Sequence, residues 1–164
     1  MYRAPLREIR FVMHELLGDD ALVKAYADID YSGDLADNIV EEAAKFAENV
    51  LEPLNRTGDE QGAAWSASGV TTPKGFKEAY AAYVEAGWTQ MPVSAELGGQ
   101  GMPHTVTLAV EELMFASNMA FFLGTSLAHG AVGAIAASAT PEQVAMFTPK
   151  LVSGEWMATM NLTE

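Results

Sequence analysis

The chain has 164 residues, 49% hydrophobic and 19% charged, the length of one domain with enough apolar material for a core and a balance unlike that of disordered chains. Twenty-two acidic residues against nine basic ones leave a net charge of −13, which argues against nucleic-acid binding and disfavours an anionic membrane surface, since both need clustered Lys and Arg. The lack of cysteine excludes disulfides, thiolate catalysis and Cys-ligated metals.

The opening MYRAPLREIRF has neither an apolar h-region nor a cleavage site, so it does not read as a secretory signal, and a cytoplasmic location is expected. Pro5 suits a first helical turn. Leu6, Ile9, Val12, Met13, Leu16 and Leu17 then recur at helical steps up to Gly18. A second short helix is expected around residues 21–27, followed by the turn-rich DIDYSGD. Ser32 or Asp34 can cap the next helix. Its predicted buried stripe is Leu35, Ile39, Ala43, Phe46, Val50 and Leu54, with Glu41 and Lys45 paired four residues apart and Pro53 at the exit.

DEQGAAWSASGVTTP reads as a loop. Thr72 and Pro73 then read as N-cap and first residue of a helix carrying Phe76, Ala79, Tyr80, Tyr83 and Val84, which Gly87 stops. MPVSAELGGQGMP is a second loop, after which a helix through Leu108, Leu113, Met114 and Phe115 runs to a break at Asn118. Residues 121–139 form 19 positions without a formal charge, close to membrane-spanning length. Lacking flanking basic or aromatic anchors, they read as the central, buried helix of a soluble bundle. TPEQ, residues 140–143, is a capping box that opens the last helix, and Gly154 terminates it. Residues 156–162 read as a strand with no strand partner before it. The fold class is all-α, a helical bundle ending in one strand.

Catalytic side chains are scarce. His14, His104 and His129 form no two-histidine zinc pattern, and no carboxylate cluster points at any of them, so neither a metal site nor a catalytic residue is assigned. His14 reads as a surface or packing residue. His129, in the apolar helix, reads as a hydrogen-bonded core residue, with a functional role as the alternative. GGQG, residues 98–101, follows no strand and has no nearby Lys, so close packing is a better reading than a phosphate cradle.

Taken in order, these segments resemble the acyl-CoA dehydrogenases. MPVSAELGGQGMP resembles the family's P-E-E-Y-G-G-x-G loop, and WMATMNLTE resembles the opening of its flavin signature. Between them, LGTSLAHGAVGAIAASATPEQVAMFTPKLVSGEW is similar to the family's helix, turn, E-Q helix and L-x-x-G-E lead-in. APLREIRFVMHELL, LEPLNRTGDEQG and GVTTPKGFKEAY resemble the larger bacterial members with an extra N-terminal segment, the group that includes 3-methylmercaptopropionyl-CoA dehydrogenases.

The resemblance implies an N-terminal extension over residues 1–31, the family's helical domain over 32–154, and the first strand of a following β-barrel domain over 155–164, the chain reading as truncated there. It implies α,β-dehydrogenation of an acyl-CoA with FAD, by a catalytic Glu outside this chain, so that the chain alone is inactive. It also implies an electron-transfer flavoprotein or similar acceptor and a homodimer for the full-length enzyme. By motif match, Met160, Leu162 and Thr163 contact the flavin, Thr163 by backbone and hydroxyl, with a hydroxyl that satisfies a turn as the plainer reading. Ser126, Leu127 and Gly130 line the acyl chain, or the small residues around them serve close helix packing. The reading from a different class is a freestanding helical interaction module without redox chemistry.

Overall fold

The computed structural model describes residues 1–26 and 31–159. These are predominantly helical, as expected, and fall into two compact units: residues 1–77 with 103–119, and residues 78–102 with 120–164.

In the first unit, α1 (Leu6–Arg10) continues through a π-helical stretch (Phe11–Gly18) into α2 (Asp19–Ala25). Of this arm's apolar residues only Ile9, Met13 and Leu22 are buried, while Phe11, Val12, Leu16 and Leu17 remain exposed. Its start is pinned to the long helix that follows: Tyr2 N–H donates to Glu52 Oε1 (3.2 Å) and Ala4 N–H to Glu48 Oε1 (2.8 Å).

That long helix is α3 (Gly33–Phe46), a π turn (Ala47–Leu51) and α4 (Glu52–Gln61). Ser32 caps it by accepting from Leu35 N–H. Pro53 does not end it, contrary to the sequence expectation. In a regular α-turn its ring would strike the carbonyl four residues back, and it has no N–H to donate. The chain widens just before it, with Glu52 N–H reaching five residues back to Ala47 O, and the helix runs on to Gln61.

The buried stripe is Ala36, Val40, Ala43, Ala44, Ala47 and Leu51, displaced by about one residue from the expected one, which shares only Ala43. Small alanines on this face let α6 (His104–Ser117) approach, with Val106, Val110, Leu113 and Met114 buried from the other side. The expected Glu41–Lys45 pair is also replaced. Glu41 receives Arg10 of the arm, and Lys45 turns to Glu42 at 2.6 Å. Asn118, 1% exposed, breaks the chain after α6 as expected and donates from its amide to Leu51 O at 3.1 Å.

Residues 63–72 form a hairpin rather than the expected loop. β1 (Ala64–Ser66) pairs antiparallel with β2 (Gly69–Thr71), Trp65 opposite Val70. A two-residue connection and alternating apolar positions suffice for a short ladder, although every position of it is exposed.

The helix expected from Pro73 starts only at Phe76, because residues 73–76 form a turn closed by Phe76 N–H on Pro73 O. In this helix, α5 (Phe76–Glu85), Tyr83 is 1% exposed and packs edge-on against Phe121 and Phe122, with centroids 5.9 and 6.3 Å away. The last two helices are α7 (Met119–Ser138) and α8 (Pro141–Val152). α8 opens on the predicted capping box: Thr140 Oγ1 accepts from Gln143 N–H and Gln143 Oε1 from Thr140 N–H.

Candidate functional site

The GGQG loop turns inward on its own backbone. The N–H groups of residues 97–102 donate in turn to Ser94, Ala95, Ser94, Gln90, Val93 and Met91 carbonyls. A Cβ on Gly99 would stand 2.0 Å from Val93 O. With these donors spent, the loop offers no nest of N–H groups to a phosphate, and the packing reading stands.

α7 departs from the expectation of a helix buried all round. It has the length and apolarity to cross a membrane, with mean hydropathy 1.5, yet 28% of that window is buried. Its buried residues are Phe121, Phe122, Thr125 and Val132, which share one face. Ser126 and Leu127, with Gly130 one turn on, lie on the side of exposed Leu123, Ala134 and Ala137. Ser126 Oγ donates to Leu123 O at 3.2 Å, which leaves its lone pairs as acceptors. The result is a largely apolar strip on which Gly130 is exposed and Ser126 and Leu127 are half-buried.

The lead-in to the expected strand is held firmly. Gly154 turns the chain at φ +74°, and a Cβ there would meet Val84 Cγ2 at 2.6 Å. Tyr80 Oη donates to Gly154 O at 2.9 Å, and burial raises the pKa of this hydroxyl. Trp156 N–H donates to Lys150 O, while Lys150 Nζ, bound to Glu155 at 2.9 Å, stands 4.6 Å above the Trp156 ring. Met157 lies against Gly124 of α7. Ala158 packs on the cluster of Val93, Val132, Leu151 and Val152. One unit thus sets the start of WMATMNLTE beside α7.

The strand expected over residues 156–162 is not formed in its described part. Residues 156–159 join no ladder, and β1–β2 is the one sheet among the described residues. A strand exists by pairing, and residues 156–159 pair with no described segment. Met160, Leu162 and Thr163 lie outside the described residues.

The chain matches known proteins along nearly its full length. The family described as acyl-CoA dehydrogenase, N-terminal domain, matches residues 34–155. The chain belongs to the acyl-CoA dehydrogenase family. It is 34% identical over 165 residues to 3-methylmercaptopropionyl-CoA dehydrogenase of Ruegeria pomeroyi, covering 99% of this chain and 28% of that protein. A butyryl-CoA dehydrogenase of Syntrophomonas wolfei is 32% identical over 168 residues, 99% of this chain and 27% of its own length. The broad-specificity linear acyl-CoA dehydrogenase FadE5 of Mycobacterium tuberculosis is 29% identical over 126 residues, 74% of this chain and 20% of its own. The chain therefore spans 28% and 27% of the first two relatives.

One constellation of this acyl-CoA dehydrogenase domain escaped the sequence reading. His14 is no idle surface residue. Its Nδ1 lies 2.6 Å from Asp19 Oδ1 and its Nε2 2.9 Å from Asp37 Oδ1. Asp37 Oδ2 accepts from Arg10 Nε at 3.1 Å. Asp19, first by hydrogen bond, and then Asp37 raise the His14 pKa. Burial pushes Asp37 up, but His14 and Arg10 outweigh it and hold its carboxyl below the ordinary value. Spacing held a faint signal for Asp19, five residues on as in a π turn. Asp37, 23 residues on, left none. Among the described residues no group of three or more potential ligands could hold a metal ion.

Proposed function

We propose that this chain is the helical wall of a flavin-dependent acyl-CoA dehydrogenase that oxidises an acyl-CoA thioester to the trans-2-enoyl-CoA. The observation that carries this reading is the partly exposed strip of α7, where Ser126, Leu127 and Gly130 share one side of the helix with exposed Ala134 and Ala137. An acyl chain needs an apolar trough without projecting side chains, and Gly and Ala leave that room. FAD, when bound, supplies the hydride acceptor. Met160 and Leu162 would hold its pyrimidine edge through backbone groups and Thr163 through backbone and hydroxyl, where donors favour the anionic reduced ring. The α-proton falls to a carboxylate outside this chain. With a net charge of −13, the chain is a poor holder for the CoA phosphates. Electrons would pass to an electron-transfer flavoprotein or similar acceptor, and the assembly would be a homodimer.

The test uses the native protein that carries this chain. It should be yellow and reduce an artificial acceptor with an acyl-CoA, whereas the 164-residue chain alone should do neither. A bulky Gly130→Phe change should lower kcat/KM for the longest accepted acyl chain about 10- to 100-fold more than for the shortest. Native protein that holds no flavin, or an equal loss at every chain length, would contradict the assignment.

A further inference from the structure

The arm formed by α1, the π-helical stretch and α2 is attached to the long helix in two different ways. Upstream, its bonds do not depend on a group that titrates near neutrality: Tyr2 and Ala4 backbone amides on Glu52 and Glu48, Arg3 on Glu48 at 3.1 Å, and Arg10 on Asp37 and Glu41. Downstream, His14 ties the arm to α3. At the far end of α2 the Tyr26 hydroxyl lies 2.9 Å from Thr105 Oγ1 of α6, a contact that pH leaves in place near neutrality and that limits the swing of α2. Both ring nitrogens of His14 face carboxylate oxygens. An ionised carboxylate only accepts, so both contacts are hydrogen bonds only when both nitrogens carry a proton. A neutral ring has one N–H and must set a lone pair against the other carboxylate.

Among the described residues, the charged and titratable groups around this ring are Asp19 of α2, Asp37 of α3 and Arg10 of α1. Glu41 lies behind Arg10, and the Tyr31 hydroxyl feels both aspartates. The packing at Gly33 is as tight as the polar contacts: a Cβ there would come within 3.2 Å of Asp19 Oδ1 and 3.4 Å of His14 Cε1. Between His14 and α2 stands Gly18 at φ +84°, with nothing within 4 Å of where its Cβ would be, a joint with room to turn.

We propose that His14 is a protonation-dependent latch: charged, it clasps the α2 end of the arm to α3, and neutral, it lets that end swing on Gly18. Upstream of that joint the arm keeps its place, so the apolar groove of about 360 Å³ between Ile9, Val12, Met13 and Leu17 of the arm and Leu108 and Ala109 of α6 stays formed in both states, and what the latch governs is α2. The raised His14 pKa places the release above the ordinary histidine value of 6.5.

The test is amide hydrogen exchange of the 164-residue chain from about pH 5 to about pH 9, corrected for the intrinsic base-catalysed rate, beside NMR titration of the imidazole. Exchange in α2 should rise on the order of tenfold across the His14 titration while α3 and α6 stay protected. His14→Gln should exchange fast in α2 at every pH. Should that variant fail to fold, Asp19→Asn keeps the ring and Asp37 and should move both the imidazole midpoint and the α2 transition to lower pH together. Protection in α2 that ignores the imidazole titration, or a ring neutral across the whole range, would overturn the latch.

Discussion

A methyl group at position 154 would find Val84 Cγ2 at 2.6 Å and Thr89 Cγ2 at 3.2 Å, on a backbone already at φ +74°. Gly154→Ala should therefore cost about 1–3 kcal/mol in denaturant unfolding and loosen the segment from Trp156 onward. Asn118→Ala leaves Leu51 O without its 3.1 Å donor in a site that is 1% exposed, and should cost about 1–3 kcal/mol by the same measurement. The His14 cluster sets a pH signature in opposite directions. His14 binds its proton more tightly when folded, so its contribution is complete below 6.5 and is lost as pH rises through the raised folded value. Asp37 is depressed, so its contribution is complete above 3.8 and is lost as pH falls through the lowered value. Thermal melts should thus give a Tm plateau between these limits, declining on both sides, and His14→Gln should flatten the alkaline side. The glycine at 154 was legible as a terminator, whereas the fit against Val84 and the partners of His14 were not, because those neighbours are distant in sequence.

At the scale of elements, the sequence cues that came true are those whose partners lie within one turn. The capping box at Thr140 and Gln143, the Ser32 cap and the break at Asn118 all appear. Thr140→Ala should destabilise α8 by about 1 kcal/mol and raise exchange in its first turn, measured by amide exchange, because Gln143 N–H loses its acceptor. Cues that compete with a tertiary partner or a local turn failed, the Thr72–Pro73 helix start among them. Pro53 reads as a stop, yet a π turn absorbs it. The α3 stripe is displaced because a broad apolar face allows more than one contact line, and the approach of α6 selects the alanine row. Glu41 pairs with Arg10 of α1 instead of its own helix neighbour, since a guanidinium fork binds a carboxylate more strongly than an exposed ammonium does.

For the whole molecule, family membership rests on the match of residues 34–155 to the family's N-terminal domain and on 34% identity along 99% of the chain to one relative, while α7 is buried on one face only. If its partly exposed strip is a trough for an acyl chain, polar substitution within it should separate folding from function. Leu127→Asn should leave the unfolding midpoint nearly unchanged, because a partly exposed position loses little burial. In the native protein it should raise KM for acyl-CoA several-fold, measured in steady state with an artificial acceptor.

By itself the sequence determined the helical class, the Ser32 and Thr140 caps, the main break and the family, because each is written in residues that meet within a few positions or in a serial pattern that needs no coordinates. Tertiary structure alone decided which row of α3 is buried, that residues 97–102 spend their N–H groups on their own loop, and that His14 is gripped between two aspartates. Those outcomes are contacts between segments far apart in the chain. Packing and charge pairing select them only once the helices have met.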